Sequence, residues 1–454
     1  MTTTVLDAAA RAAAVADSVT ACIPVTCRVG LLGLGNVGSA FARHAREAAS
    51  RLSARGFAPI IATALVRSTA RPRPASAYVT RITDDVDAFF AEPVDVIVEA
   101  LGGVEPAFSF VRRALDRGIP VVTANKSLVA AHGDELSQLA RRRATALRYE
   151  ASCIAGVPFL GGFERRPLAS RAAAITAILN GTSNSILTAM ASGASFDAAL
   201  ADAQRLGFAE PDPSMDISGV DAAEKLAILV RVFGRLLVDP AAFPVDGIGG
   251  VEPDDISSAT AFGGAIRPIA QASWHDRSIH AFVGPAFVAG AHPLAQVRGV
   301  TNGVVIHPPL PRGVGGQGSL CFIGPGAGPG VTADTLLDDV AELVAERRVR
   351  TPPPEPAETA VSITRPHSAW FVRLNGAAPS STARRPGESD VADLLGSYGI
   401  WTTRLARRGD RTYVLTCPAS YARVRSALDA LQAATGAAAA AFPTIGLEDG
   451  DARC

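Results

Sequence analysis

The stretch Arg28-Val29-Gly30-Leu31-Leu32-Gly33-Leu34-Gly35-Asn36-Val37-Gly38 decides the fold. Arg28 to Leu32 is a short apolar run, and glycines 33, 35 and 38 fall where that strand gives way to a helix. In this setting Gly33 permits a tight turn, Gly35 lets backbone approach a pyrophosphate, and Gly38 allows helix to pack closely on strand. The N–H groups that open the helix at Asn36 and Val37 then face the anion. An ordinary strand-to-helix turn is the alternative; the flanking strand and helix favour a dinucleotide site.

Outward from this point the same alternation continues. Pro59 to Val66, Val94 to Ala100 and Ile119 to Thr123 read as strands, with helical patterns at Ser39 to Ala54 and Pro106 to Arg117. Repeated βαβ units predict an α/β fold, a Rossmann-type doubly wound parallel sheet over residues 26–150, completed by about 310–350. Residues 151–309 change character, with mixed strands, Gly/Pro loops and helices at Phe196 to Leu206 and Val220 to Phe233, and read as an α+β domain. A Gly/Pro-rich patch, Gly313 to Gly330, leads to a helix over Ala333 to Arg347, and 351–367 opens on the proline stretch of a stiff linker. Residues 368–454 suggest a small βαββαβ module, and residues 1–25 an extension with little to make a core.

Composition narrows the function classes. A formal net charge of zero and pI near 7.1 give no electrostatic footprint for nucleic acid or a membrane surface, so small ligands are expected. No apolar run approaches the roughly 20 residues of a membrane span, and the Ala-rich start lacks the features of a signal peptide, so a cytoplasmic location is expected. The cysteines at 22, 27, 153, 321, 417 and 454 include no C-x-x-C pair, which speaks against zinc and against a disulfide framework.

Among 43 basic residues only Lys126 and Lys225 are lysines. Arginine serves an exposed ion pair equally well but cannot give up a proton, whereas a lysine in a dry site can. Lys126 follows a buried strand in Val121-Val-Thr-Ala-Asn125-Lys126, at the strand end where open α/β sheets bind ligands. Lys225 lies four residues from Asp221, on one helix face; the bland reading is a surface pair of about 0.3–0.5 kcal/mol. Both lysines therefore point to acid–base work. Between them Glu210, Asp212 and Asp216 form a proline-stiffened acidic loop suited to an ammonium group. Asn180-Gly181-Thr182-Ser183-Asn184 ends an apolar strand with small polar groups fit for a carboxylate. Arg67, Arg71 and Arg73 follow the second strand, where NAD would want an acid; they favour the 2′-phosphate of NADP, with NAD the alternative.

Together these elements resemble homoserine dehydrogenase. The matching segments are Gly-Leu-Gly-Asn-Val-Gly (33–38), Glu-Ala-Leu-Gly-Gly (99–103), Ala-Asn-Lys (124–126), Tyr-Glu-Ala-Ser (149–152), Leu-Asn-Gly-Thr-Ser-Asn (179–184), Phe-Ala-Glu-Pro-Asp-Pro (208–213) and Gly-Val-Asp-Ala-Ala-Glu-Lys-Leu (219–226). The resemblance implies NAD(P)-dependent interconversion of L-homoserine and L-aspartate 4-semialdehyde in threonine, methionine and isoleucine biosynthesis. It implies that Lys225 exchanges the proton, with Asp221 in the catalytic set and Lys126 beside substrate and nicotinamide. Glu210 would hold the amino group and Asp216 complete the pocket, with Thr182 and Gly181 also at the substrate. Ala100 and Gly102 would line the nicotinamide side, and Gly326 and Gly328 return to the cofactor. A monovalent cation, Na+, is implied at Glu150, Cys153, Ala155 and Val157, although Cys153-Ile154-Ala155 stands where the family carries smaller residues. Residues 151–309 would also make a homodimer or higher oligomer. The C-terminal module resembles a degenerate ACT domain through Arg385-Pro386-Gly387 and Tyr398-Gly399-Ile400, which implies L-threonine as an effector.

Two other readings stand beside this one. A semialdehyde dehydrogenase with a covalent cysteine step would use Cys153, which has no nearby histidine in sequence. A non-catalytic dinucleotide or amino-acid sensor would need no lysine.

Overall fold

The structure, a computed structural model, describes residues 24–54, 56–164, 172–309, 318–346, 357–375, 388–436 and 438–447. Residues 1–23 of the expected N-terminal extension, the proline stretch at 351–356 and Arg385-Pro386-Gly387 lie outside them, and Val25, expected in the extension, already opens the first strand. The chain forms two compact units: one holds the described residues up to Leu128, Glu135–Ala151 and the helix Pro329–Glu346; the other holds Val129–Asp134, the described residues of 152–328, and those beyond 354.

In the first unit β1 (Val25–Leu32), β2 (Phe57–Leu65), β3 (Arg81–Thr83), β4 (Val96–Glu99), β5 (Val121–Thr123) and β6 (Leu147–Arg148) form a parallel sheet in the order β3-β2-β1-β4-β5-β6. The order reverses between β1 and β4, which opens a crevice at their carboxyl ends. Helices α1 (Asn36–Glu47), α2 (Ala49–Ala54), α3 (Val86–Ala91), α4 (Ala107–Asp116) and α5 (Lys126–Arg142) connect them. Successive strand residues point to opposite faces. Val29 and Leu31 therefore join Phe41 of α1 and Leu336 and Val340 of Pro329–Glu346, while Leu32 and Ile97 join Val111 and Leu115 of α4 and Leu136 of α5. Each such burial stabilises by about 1.5–3 kcal/mol. The single helix expected over Ser39 to Ala54 is two: α1 buries Phe41 and four small residues, whereas α2 buries none and rests on the core through the half-buried Leu52.

The second unit is organised by one ten-stranded sheet. Its strands are β7 (Ala174–Ile178), β9 (Gly264–His275), β10 (Ser278–Ala289), β11 (Thr301–His307), β12 (Leu320–Pro325), β14 (Ser362–Thr364), β15 (Trp370–Leu374), β16 (Thr402–Arg408), β17 (Arg411–Thr416) and β18 (Ala439–Ile445); β8 (Leu236–Leu237) and β13 (Glu358–Thr359) pair separately. The path runs β12-β11-β7-β9-β10-β18-β15-β17-β16, with β14 also on β10. Helices α6 (Leu160–Glu164), α7 (Gly181–Ala191), α8 (Phe196–Arg205), α9 (Ser214–Ser218), α10 (Val220–Leu229), α11 (Pro253–Ala261), α12 (Glu388–Ser397) and α13 (Tyr421–Thr435) pack around it.

β15 to β18, with α12 and α13 between them, follow the expected βαββαβ order. Their sheet is hydrogen-bonded to β10 through Phe287↔Thr444 and Val288↔Ile445. Trp370 and Val372 face α12 and α13, while Phe371, Tyr413 and Phe442 face Ile186 of α7 and Ile256 of α11. Cys417 is disulfide-bonded, which the scatter of cysteines does not anticipate. Among the described residues no helix is long and apolar enough to cross a membrane.

Candidate active site

The second unit gathers Asn180, Asp216, Asp221 and Lys225. β7 ends at Ile178, and Asn180 caps the next helix by accepting the Ser183 N–H at 2.7 Å. Residues 181–184, expected as the tail of a strand, are thus the first turn of α7. The Asn180 carboxamide donates to Asp216 Oδ1 at 2.6 Å and to Asp221 Oδ2 at 2.8 Å, bridging two carboxylates. Lys225 Nζ donates to Asp221 Oδ2 and to the Leu179 carbonyl, both at 2.9 Å. Asp221 is 5% exposed and Lys225 8%, which excludes the surface-pair reading. The helix expected to run to Phe233 changes to π pitch over Val230–Gly234 and ends at a left-handed Arg235, a departure common near functional sites.

Asp216 lies on the short α9, whose Pro213 precedes it and whose Gly219 (φ 89°) turns the chain into α10. Burial raises the Asp216 carboxyl above its ordinary value; the Asn180 hydrogen bond opposes this and the neighbouring Asp221 adds to it. The Ser183 hydroxyl donates to the Asp216 carbonyl at 2.8 Å and the Thr182 hydroxyl to the Phe208 carbonyl at 2.7 Å, so both tie α7 to the acidic segment. A side chain on Gly181 would lie 2.7 Å from the Val300 carbonyl oxygen, so the helix start has no room for one. Glu210 is exposed, and no hydrogen bond or ion pair among the described residues joins its carboxylate to the cluster. Asp212 accepts the Ser214 N–H at 3.1 Å, just ahead of α9. Gly326 follows β12 with its α-carbon against the Asn302 carboxamide; its carbonyl accepts the Ala155 N–H at 3.1 Å, and Gly328 has φ 125°.

The first unit carries the glycine turn. Gly33 has φ 96°, and a side chain there would lie 2.8 Å from the Ala100 carbonyl oxygen; one on Gly38 would lie 2.0 Å from that of Gly33. Above Gly35 there is open space. Gly35 caps α1 without a side chain, so the helix-opening N–H groups at Asn36 and Val37 front a cradle that a β-carbon would fill, the fit a pyrophosphate needs. Arg67 is exposed just past β2, and the Thr69 N–H and hydroxyl bind Asp84. Ala100, Gly102 (φ 79°) and Gly103 form the loop after β4. Lys126 opens α5, capped by Asn125. Glu150, Cys153, Ala155 and Val157 are buried, and the described residues contain no cluster of three metal-binding side chains.

Two family models cover the chain, "Homoserine dehydrogenase, NAD binding domain" over residues 33–150 and "Homoserine dehydrogenase" over 158–341. The chain belongs to the homoserine dehydrogenase family. The homoserine dehydrogenase of Synechocystis sp. is 36% identical over 329 residues, 70% of this chain and 74% of that one. The Mycobacterium tuberculosis enzyme is 33% identical over 423 residues, 89% of this chain and 93% of that one. Among solved structures, a homoserine dehydrogenase from Thiobacillus denitrificans aligns with TM-score 0.81 at 28% identity, covering 94% of this chain and all of that one. A hyperthermophilic archaeal homoserine dehydrogenase in complex with NADPH aligns with TM-score 0.57 at 26% identity, over 71% and 98%.

As a homoserine dehydrogenase the chain is an oxidoreductase acting on a CH–OH group, interconverting L-homoserine and L-aspartate 4-semialdehyde with a nicotinamide dinucleotide. The cysteine-dependent and non-catalytic readings give way to it. Glu99, Asn125 and the Leu179 carbonyl are polar partners that residue chemistry alone did not single out, and Asn180, expected in a carboxylate-binding stretch, was not expected to bridge Asp216 and Asp221. An Asn between an apolar strand and a small-residue helix start was the available signal for Asn180.

Proposed function

We propose that this homoserine dehydrogenase exchanges the substrate proton at Lys225. The supporting observation is the buried ammonium group, aimed by the Leu179 carbonyl and Asp221. In reduction Lys225 gives its proton to the aldehyde oxygen as the carbon accepts hydride; in oxidation it takes the hydroxyl proton. Asp221 and Asn180 hold it in place, Asp216 receives the substrate ammonium group, and Glu210 closes on that group from its exposed loop. Gly181 and Thr182 offer the start of α7 to the substrate carboxylate. Gly33, Gly35, Asn36, Val37 and Gly38 hold the pyrophosphate; Ala100, Gly102, Lys126, Gly326 and Gly328 serve the nicotinamide side. That nicotinamide, when bound, supplies or takes the hydride. The decisive assay is homoserine-dependent absorbance change at 340 nm, with Lys225→Arg expected to lose it. Full turnover by that variant would remove Lys225 from the mechanism.

The preferred cofactor is NADP, held at its 2′-phosphate by the exposed Arg67; Arg67→Ala should raise KM for NADP and leave that for NAD unchanged. A monovalent cation such as Na+ would rest on backbone carbonyls of the loop from Glu150 to Val157, at Glu150, Cys153, Ala155 and Val157, and replacing Na+ by K+ tests it. The βαββαβ order supports an ACT-like module that takes L-threonine, in an enzyme working as a cytoplasmic homodimer. A rate and melting temperature both unmoved by saturating L-threonine would end the effector reading.

A further inference from the structure

Glu99 is the last residue of β4, 0% exposed, at the carboxyl end of the sheet beside the β1/β4 crevice. Every group that reaches its carboxyl is a donor. Oε1 accepts the Leu101 N–H at 2.7 Å and the Asn125 carboxamide at 3.4 Å, and Oε2 accepts the Thr123 hydroxyl. The Thr123 hydroxyl in turn accepts the Asn125 N–H at 3.0 Å. Asn125 caps α5 at Leu128 N–H and donates to the Gly103 carbonyl at 2.6 Å. One carboxyl group therefore anchors three things: the Leu101 N–H of a loop whose Gly102 and Gly103 are left-handed, the end of β5, and the cap of the helix that opens with Lys126. Of this loop, Ala100 abuts the glycine turn, its N–H on the Leu32 carbonyl.

We propose that Glu99 is a positioning residue for the nicotinamide half of the cofactor, fixing the loop from Ala100 to Gly103 against the start of α5. The inference rests on the reading of Ala100 and Gly102 as nicotinamide-side residues. It separates the two halves of the dinucleotide. Neither the glycine turn nor Arg67 is hydrogen-bonded to a group that binds Glu99; only van der Waals contact, Gly33 against Leu101, links them, so the adenosine half should sense the carboxyl far less than the nicotinamide half.

The test is equilibrium binding of NADPH and of adenosine 2′,5′-bisphosphate to the full chain, by fluorescence or calorimetry. Glu99→Leu removes the acceptors and is expected to weaken NADPH by about tenfold or more, the effect of stranding buried donors, with the bisphosphate changed less than about twofold. Glu99→Gln keeps one oxygen for Leu101 and should recover most of the NADPH affinity. If Glu99→Leu does not fold, Thr123→Val, which removes only a hydroxyl, should give the same selective loss at about threefold. Equal weakening of both ligands, or of neither, overturns the proposal. A wild-type chain that binds the bisphosphate but not NADPH would instead overturn the nicotinamide-side reading, and one that binds neither would overturn the NADP preference.

Discussion

At Lys225 one ammonium group answers to two acceptors, and burial makes its replacement costly in a way an exposed lysine's is not. Lys225→Ala is expected to lower kcat by about 10²–10⁴-fold, the usual range for a general acid–base, while Kd for NADPH stays put. Equal losses in both would mean a folding defect. In its proposed role Asp216 sets the pH dependence. Its carboxyl is raised by burial and must be ionised to receive the substrate ammonium group, so kcat/KM for homoserine falls as pH drops through that raised value. The acid limb should therefore lie above the range of a free aspartate, and Asp216→Asn should raise KM and remove it. A limb that survives in the variant belongs to another group. The scarcity of lysine made residues 126 and 225 legible in sequence. The bridging of Asp216 and Asp221 by Asn180 was not, since those residues are 36 and 41 positions away and meet only in the folded unit.

At the level of elements, the glycine turn separates packing from ligand binding. Gly38→Ala would drive a β-carbon to within 2.0 Å of the Gly33 carbonyl oxygen and should destabilise the unit, read as a lower melting temperature of the apo chain. Gly35→Ala meets open space, so the melting temperature should hold within about 0.5 kcal/mol of stability while KM for the cofactor rises about tenfold. Equal effects at the two positions would contradict the cradle. The strand-to-helix switch at 28–38 was readable because period and glycine spacing are local. The break at Ala48 and the π segment after Leu229 were not, because both depend on which helix face meets a core.

Across the whole molecule, the C-terminal segment is fastened to the rest of its unit by ion pairs, of which Arg373–Asp255 is buried. Arg373 of β15 donates to Asp255 Oδ2 at 2.6 Å and to Glu252 at 2.9 Å, and Arg365 grips Asp246 with two bonds of 2.7 and 2.9 Å. Removing one partner of a buried pair leaves the other charge uncompensated, so Arg373→Ala should cost about 3–5 kcal/mol in denaturant melts. Replacing the pair together, with Asp255→Leu and Arg373→Met, should recover much of that loss; no recovery would mean that Arg373 acts through packing. The sequence by itself determined the parallel dinucleotide-binding sheet, the family and the βαββαβ order, because those follow from local periodicity and from motifs a few residues long. Only the tertiary structure decided that β18 continues the sheet at β10, that Lys225 is buried, and that Glu99 gathers its donors, because strand pairing, desolvation and converging hydrogen bonds join residues far apart in the chain.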